Sequence, residues 1–204
     1  MSQQQANAEA AIHPLIANRW SPRAFDGNRA VETEKLHACL EAARWSASCY
    51  GDQPWRFIVA DKSSHPEHWQ KLFNCLAEGN KLWAIHAPVL ILACASQTFA
   101  HNNNPNRWGQ YDAGQAMMSF SLQAVAEGLI SHPMGGFLPE MAKEAFNIAD
   151  GFTLMSVTAL GYQGEAESLP EQYSSIETAV RNRKPLSEIA FTAWNEPWQT
   201  EERK

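Results

Sequence analysis

The chain has 204 residues, 45% hydrophobic and 19% charged, and its 16 basic against 22 acidic side chains leave a net charge of −6. That length suits one domain with a sizeable core, and the apolar fraction excludes a disordered chain. An acidic balance argues against a nonspecific nucleic-acid binder, which needs a basic footprint.

In chain order, the first residues hold neither a basic nor an apolar stretch, so no secretory signal is expected. Ala8 to Asn18 reads as a helix in which Pro14 marks the true first turn. Glu32 to Arg44 places Leu36, Cys39, Leu40 and Ala43 at helical spacing. Trp55 to Ala60 reads as a strand. Pro66 to Glu78 reads as a helix with Trp69, Leu72, Phe73 and Leu76 on one face and Gly79 as its stop. The run Ala87 to Ala95 is about half a membrane span long, and Val89 to Ala95 reads as the central buried strand. His101 to Asn106 reads as a loop, followed by an almost wholly apolar helix from Gln110 to Glu127, ended by Gly128. Pro139 to Ile148 reads as a helix, Phe152 to Tyr162 as a second long strand, and the tail from Pro185 as extended. Periodicity leaves α/β and α+β both open. Cys39, Cys49, Cys75 and Cys94 form no Cys-x-x-Cys pair, so a reduced, cytoplasmic protein is expected.

Few residues carry recognisable chemistry. Arg19, Ser21 and Arg23 offer two guanidiniums and a hydroxyl within five residues, and Arg181 with Arg183 repeats the spacing near the other end. Forked donors of this kind suit a phosphate oxyanion, and solvated surface charge is the alternative. The segment Ser46 to Trp55 is a polar loop before a strand. In His132-Pro133-Met134-Gly135-Gly136-Phe137 the paired glycines either form a tight turn or let backbone N–H groups approach a ligand. No Gly-x-Gly-x-x-Gly, Walker loop or Gly-x-Ser-x-Gly elbow is present. His65 and His68 lack an evident third metal ligand, and no metal is expected.

Taken in order, these elements resemble the FMN-dependent nitroreductase family over roughly Ile12 to Ile189. The resemblance rests on Arg19-x-Ser21-x-Arg23-x-Phe25, on Ser48 with Gln53-Pro54-Trp55-x-Phe57, on Asn80 eight residues before Pro88, on Pro133-x-Gly135-Gly136-Phe137, and on Arg181-x-Arg183. It implies an α+β fold with a mostly antiparallel central sheet flanked by helices, in an intertwined homodimer with FMN at the interface. It also implies one domain over residues 1–204, disordered over 1–10, with 185–204 packing on the partner subunit. Arg19, Ser21 and Arg23 match the residues that hold the FMN phosphate and ribityl chain, Arg23 reaching toward the pyrimidine edge. Arg181 and Arg183 match a basic pair that closes on the same phosphate, and Asn80 matches the amide on the pyrimidine ring. Pro133 and Met134 lead into Gly135 and Gly136, which match backbone donors to flavin N5 and O4. Ala47 and Ser48 match a loop arriving from the other subunit.

Three positions depart from the family pattern. Ala47 and Gly51 stand in that loop where relatives commonly carry a Pro and an Asn amide, and Trp83 stands where many carry a basic residue. The implied activity is hydride transfer from NADH or NADPH, through FMN, to a nitroaromatic, a quinone or a similar small acceptor. Enone reduction, dehalogenation, flavin fragmentation and FMN binding without turnover are the alternatives. No side-chain acid or base is called for, and neither a nucleic acid nor a membrane is implied as a partner. Trp108 and Tyr111 are the expected substrate contacts. Of the eight tryptophans, Trp20, Trp55 and Trp83 fall within or beside these motifs, with Trp45 just before one. Trp69 fits a helix face, and Trp194 and Trp198 sit on the tail.

Overall fold

Proline and long-range pairing, more than helix propensity, decide where the elements begin and end. The computed structural model describes residues 5–198, so the outermost parts of both expected terminal segments lie outside the described residues. Helix α1 spans only Pro14–Asn18, starting at the proline and not at Ala8; His13 accepts the Leu15 N–H at 3.2 Å through its ring nitrogen and caps the turn. Helix α2 (Thr33–Arg44) and strand β1 (Trp55–Asp61) follow.

The helix expected over Pro66 to Glu78 ends early, as α3 (Pro66–Asn74), and a further helix that the sequence reading did not expect, α4 (Glu78–Ala84), begins where it was to stop. The chain breaks between them because Leu76 forms an antiparallel bridge with Phe137 and Ala77 donates its N–H to the Gly136 carbonyl. Gly79 lies inside α4, so it is not a stop.

Strand β2 (Val89–Ser96) and helix α5 (Gly109–Ala126) come next; α5 ends at Gly128, whose φ of 73° suits a helix C-terminus. The segment read as a Gly-Gly turn begins as a strand, β3 (Ile130–Met134), which tolerates Pro133 because it lies at a sheet edge. Helix α6 (Pro139–Ala145), strand β4 (Phe152–Gly161) and helix α7 (Glu171–Glu177), the last with no strong periodicity to announce it, complete the body. The tail is less extended than its sequence suggests: a 3-10 turn at Leu186–Glu188 precedes a small hairpin, β5 (Phe191–Ala193) with β6 (Glu196–Pro197).

The main sheet has the order β1-β2-β4-β3, with every pairing antiparallel, which decides for α+β. Central β2 is buried on both faces and its side chains alternate between two cores. Leu90, Leu92 and Cys94 face Trp69, Leu72, Leu76 and Trp83 on one side; Val89, Ile91, Ala93 and Ala95 face Ala113, Ala116 and Phe120 of α5 on the other. The β2–β4 register shifts between Ala93 and Cys94, leaving Met155 as an extra residue on β4. No helix among the described residues is long and apolar enough to cross a membrane. The four cysteines are free, and burial pushes the Cys39 and Cys94 thiols up to about 12 and about 11.

Candidate functional site

Beyond α1 the chain crosses the molecule as a strap, residues 19–24, with no regular secondary structure until Phe25 bridges to Gln163. Pro22 and Ala24 are buried, while Arg19, Ser21 and Arg23 remain half-buried, so the alternation expected of an extended segment is present. The Arg23 guanidinium lies 6.0 Å from the centre of the Trp83 ring and 5.6 Å from that of Tyr173, held by aromatic faces from α4 and α7.

Arg181 reaches this strap from the far end of the chain. Its two terminal nitrogens donate to the carbonyls of Arg19 (2.7 Å) and Ala17 (2.8 Å), and its Nε is buried without a partner. Burial, and then the positive charge of Arg183, lowers the Arg19 pKa; burial, and then Arg19 and Arg183, lowers that of Arg181. No carboxylate forms an ion pair with any of the three among the described residues. Three clustered guanidiniums in an acidic protein make a place for an anion.

On α4, Asn80 donates its Nδ2 to the Gly136 carbonyl at 2.9 Å, which leaves Oδ1 as an acceptor. A Cβ on Gly136 would come within 2.9 Å of that Nδ2, so the Asn80 amide would have to shift to admit one, whereas Gly135 has nothing within 4 Å of where a Cβ would be. Pro133 and Arg19 line a cavity of about 330 Å³ with Met117 of α5 and Ala93, Met155 and Ser156 around the sheet's bulge. Met134, by contrast, is buried in the core.

His132, which the sequence left as one scattered histidine, sits beneath the strap. Its Nδ1–H donates to the Pro22 carbonyl at 3.0 Å, and its ring lies 4.6 Å from that of Trp83. Burial, reinforced by the charges of Arg23 and Arg19, lowers its pKa to about 4 despite the opposing hydrogen bond. An unfolded histidine titrates near 6.5, so between about 4 and 6.5 the unfolded chain binds the extra proton. Stability therefore rises with pH across that window and is lost as pH falls through it. Urea midpoints near pH 4.5 and pH 7.5 should show this loss in the native protein and a smaller one in His132→Gln; equal losses would remove His132 as the source.

The remaining expected residues form a second group. Ala47 is exposed and Ser48 half-buried; the Ser48 hydroxyl accepts the Gln53 N–H at 3.0 Å. The Cys49 N–H donates at 3.0 Å to buried Asp112 of α5, one residue beyond Tyr111 and four beyond Trp108, both exposed. Gly51 has φ +67°, and Tyr50 (57°) and Gln53 (50°) share this left-handed region, which costs non-glycine residues about 1–3 kcal/mol each. Asp52, its side chain only 4% exposed, holds the loop by accepting the Ala100 N–H at 2.8 Å. None of the hydrogen bonds of this loop reaches the arginines. Sequence reasoning missed Glu177, Asp52, Asp112 and Tyr173, whose partners lie far along the chain and leave no local pattern.

The donor set fits a flavin mononucleotide: guanidiniums for a phosphate, the Asn80 acceptor for an imide N–H, and an unobstructed glycine backbone for a ring edge. A model of the nitroreductase family matches residues 16–162. The "uncharacterized 15.4 kDa protein in ask 5′ region" of Mycolicibacterium smegmatis is 34% identical over 149 residues, 70% of this chain and 99% of that protein. The major NAD(P)H-flavin oxidoreductase of Aliivibrio fischeri is 33% identical over 72 residues, 34% of this chain and 33% of that one. Among solved structures, an oxidoreductase containing FMN superimposes with a TM-score of 0.84 at 35% identity, covering 91% of this chain and 93% of that one.

Proposed function

The chain belongs to the nitroreductase family, and from that membership we propose that it is an FMN-dependent oxidoreductase drawing reducing equivalents from NAD(P)H. Its acceptors are small electron-poor molecules such as nitroaromatics and quinones, and its site is completed by a second copy of the chain. The observation that carries this reading is the cluster of Arg19, Arg181 and Arg183, none of which forms an ion pair with a carboxylate among the described residues, adjoining a strap whose Arg23 lies against Trp83 of α4, the helix that also carries Asn80. Bound FMN would supply the redox chemistry, taking up and giving back hydride at N5.

The protein's own part is binding, orientation and charge. Arg19 and Arg183 hold the phosphate, with the Ser21 hydroxyl beside them. Arg23, fixed between two rings, places a cation at the pyrimidine edge and favours the reduced, anionic cofactor. Asn80 Oδ1 accepts from the ring imide, and the Gly135 backbone is free to donate without a side chain in the way. Neutral His132 has its Nδ1–H committed to Pro22, so it orients the strap and delivers no proton.

Ala47, Ser48, Gly51, Trp108 and Tyr111 would enter the site of the partner subunit, which accounts for their standing apart from the arginines of their own chain. Exposed Tyr50 (84%), Trp45 (75%) and Trp194 (86%) offer the apolar surface such a dimer would cover. Purified protein should be yellow, bleach on anaerobic NADPH and regain colour with a nitro or quinone acceptor. A colourless protein that takes up no added FMN overturns the assignment.

A further inference from the structure

The strap that carries Arg19 and Arg23 owes its shape to charged side chains from elsewhere. Glu177, buried at the end of α7, accepts the Arg23 N–H on both carboxylate oxygens at 2.9 and 3.0 Å and the Ala24 N–H at 3.0 Å. Four residues later, the Arg181 fork takes the carbonyls of Arg19 and Ala17. A carboxylate thus holds the N–H groups at one end of the strap, and a guanidinium holds the C=O groups at the other. Both belong to one short segment of chain.

An unpaired strap would have to satisfy these groups with water and would sample many conformations, at about 1–2 kcal/mol of entropy per residue to re-order. Held as it is, the backbone has its partners and the side chains of Arg19 and Arg23 remain free to meet a ligand.

We propose that Glu177 is a positioning residue for the strap that carries the phosphate-binding Arg19, and that the Arg181 fork is its counterpart at the other end of the strap. This rests on the FMN reading of the site. The proposal has an unusual sign. A carboxylate beside a phosphate site opposes the anion by simple Coulomb repulsion, so neutralising it should tighten phosphate binding. A carboxylate that shapes the strap does the reverse, and its loss weakens phosphate binding. Arg181 offers a second handle, because a lysine keeps the charge but cannot span two carbonyls with a rigid fork.

The test compares the dissociation constants of FMN and riboflavin, which differ only in the phosphate, for the native apoprotein, Glu177→Gln and Arg181→Lys, with circular dichroism to establish folding. The native protein should prefer FMN. Each variant should lose about tenfold of that preference, the scale of one hydrogen bond to a charged group, so that riboflavin binding weakens less than FMN binding. A preference unchanged or increased in Glu177→Gln overturns the proposal, as does an equal loss for both ligands, which marks a general structural role. If Glu177→Gln does not fold, an unchanged preference in Arg181→Lys overturns it alone. A native protein that does not distinguish FMN from riboflavin overturns the phosphate assignment itself, a separate outcome.

Discussion

Replacing Arg19 and Arg183 together by alanine is expected to raise the FMN dissociation constant by about 10²–10⁴, because each charge-assisted contact to a phosphate contributes about 1.5–3 kcal/mol. The same change should leave the fold intact and stabilise the apoprotein slightly. These guanidiniums repel one another, and burial together with Arg183 already lowers the Arg19 pKa. Neither residue is part of the two apolar cores. Fluorescence titration with FMN, beside thermal melts of the cofactor-free protein, separates the two effects. A double variant that retains native FMN affinity would refute the assignment of the phosphate to these arginines.

The second large effect is expected at Trp83. Its ring is 1% exposed, 4.6 Å from His132 and stacked on Phe25 at 6.1 Å with 12° between planes, and Arg23 lies on the same ring. Trp83→Ala should cost about 3–5 kcal/mol, the range for a large aromatic removed from a core. In a chain of this size that is roughly 6–20 °C of melting temperature. FMN affinity should fall with it, since Arg23 loses one of its two aromatic supports. Trp83→Phe should be far milder: the indole Nε1 is buried without a partner, so its removal deletes an unsatisfied donor while most of the stack remains. Trp83→Lys, which would give this position the charge common among relatives, should be worst of all because it buries an unpaired cation. A melting temperature within about 3 °C of native for Trp83→Ala would show that the surrounding rings close over the gap.

Much of this was legible in the sequence, for reasons that differ from place to place. Central β2 declared itself because a strand buried on both faces is apolar throughout. The extended strap was legible in outline, since Arg19, Ser21 and Arg23 alternate along it with buried Pro22 and Ala24. The break between α3 and α4 was not, because Leu76 and Ala77 are good helix residues diverted by pairing with Phe137 and Gly136 some sixty positions away. Strand β3 was hidden by Pro133, which reads as a breaker unless its place at a sheet edge is known. His132 and Glu177 carry no local signature at all: each matters through a backbone group more than a hundred residues distant.

The strap's anchoring has a consequence for how the protein is made. Its partners lie 154, 162 and 164 positions further along the chain. A ribosome delivering residues in order exposes Arg19 and Arg23 long before the segment that shapes them. Until that segment emerges, the nascent polypeptide can begin collapsing around its N-terminal helices, but its strap lacks the partners that shape it. Loops of such length close slowly, because their ends must find each other before any contact rewards the search. On the proposed reading, the strap therefore takes its phosphate-binding shape only once that distant segment has joined it.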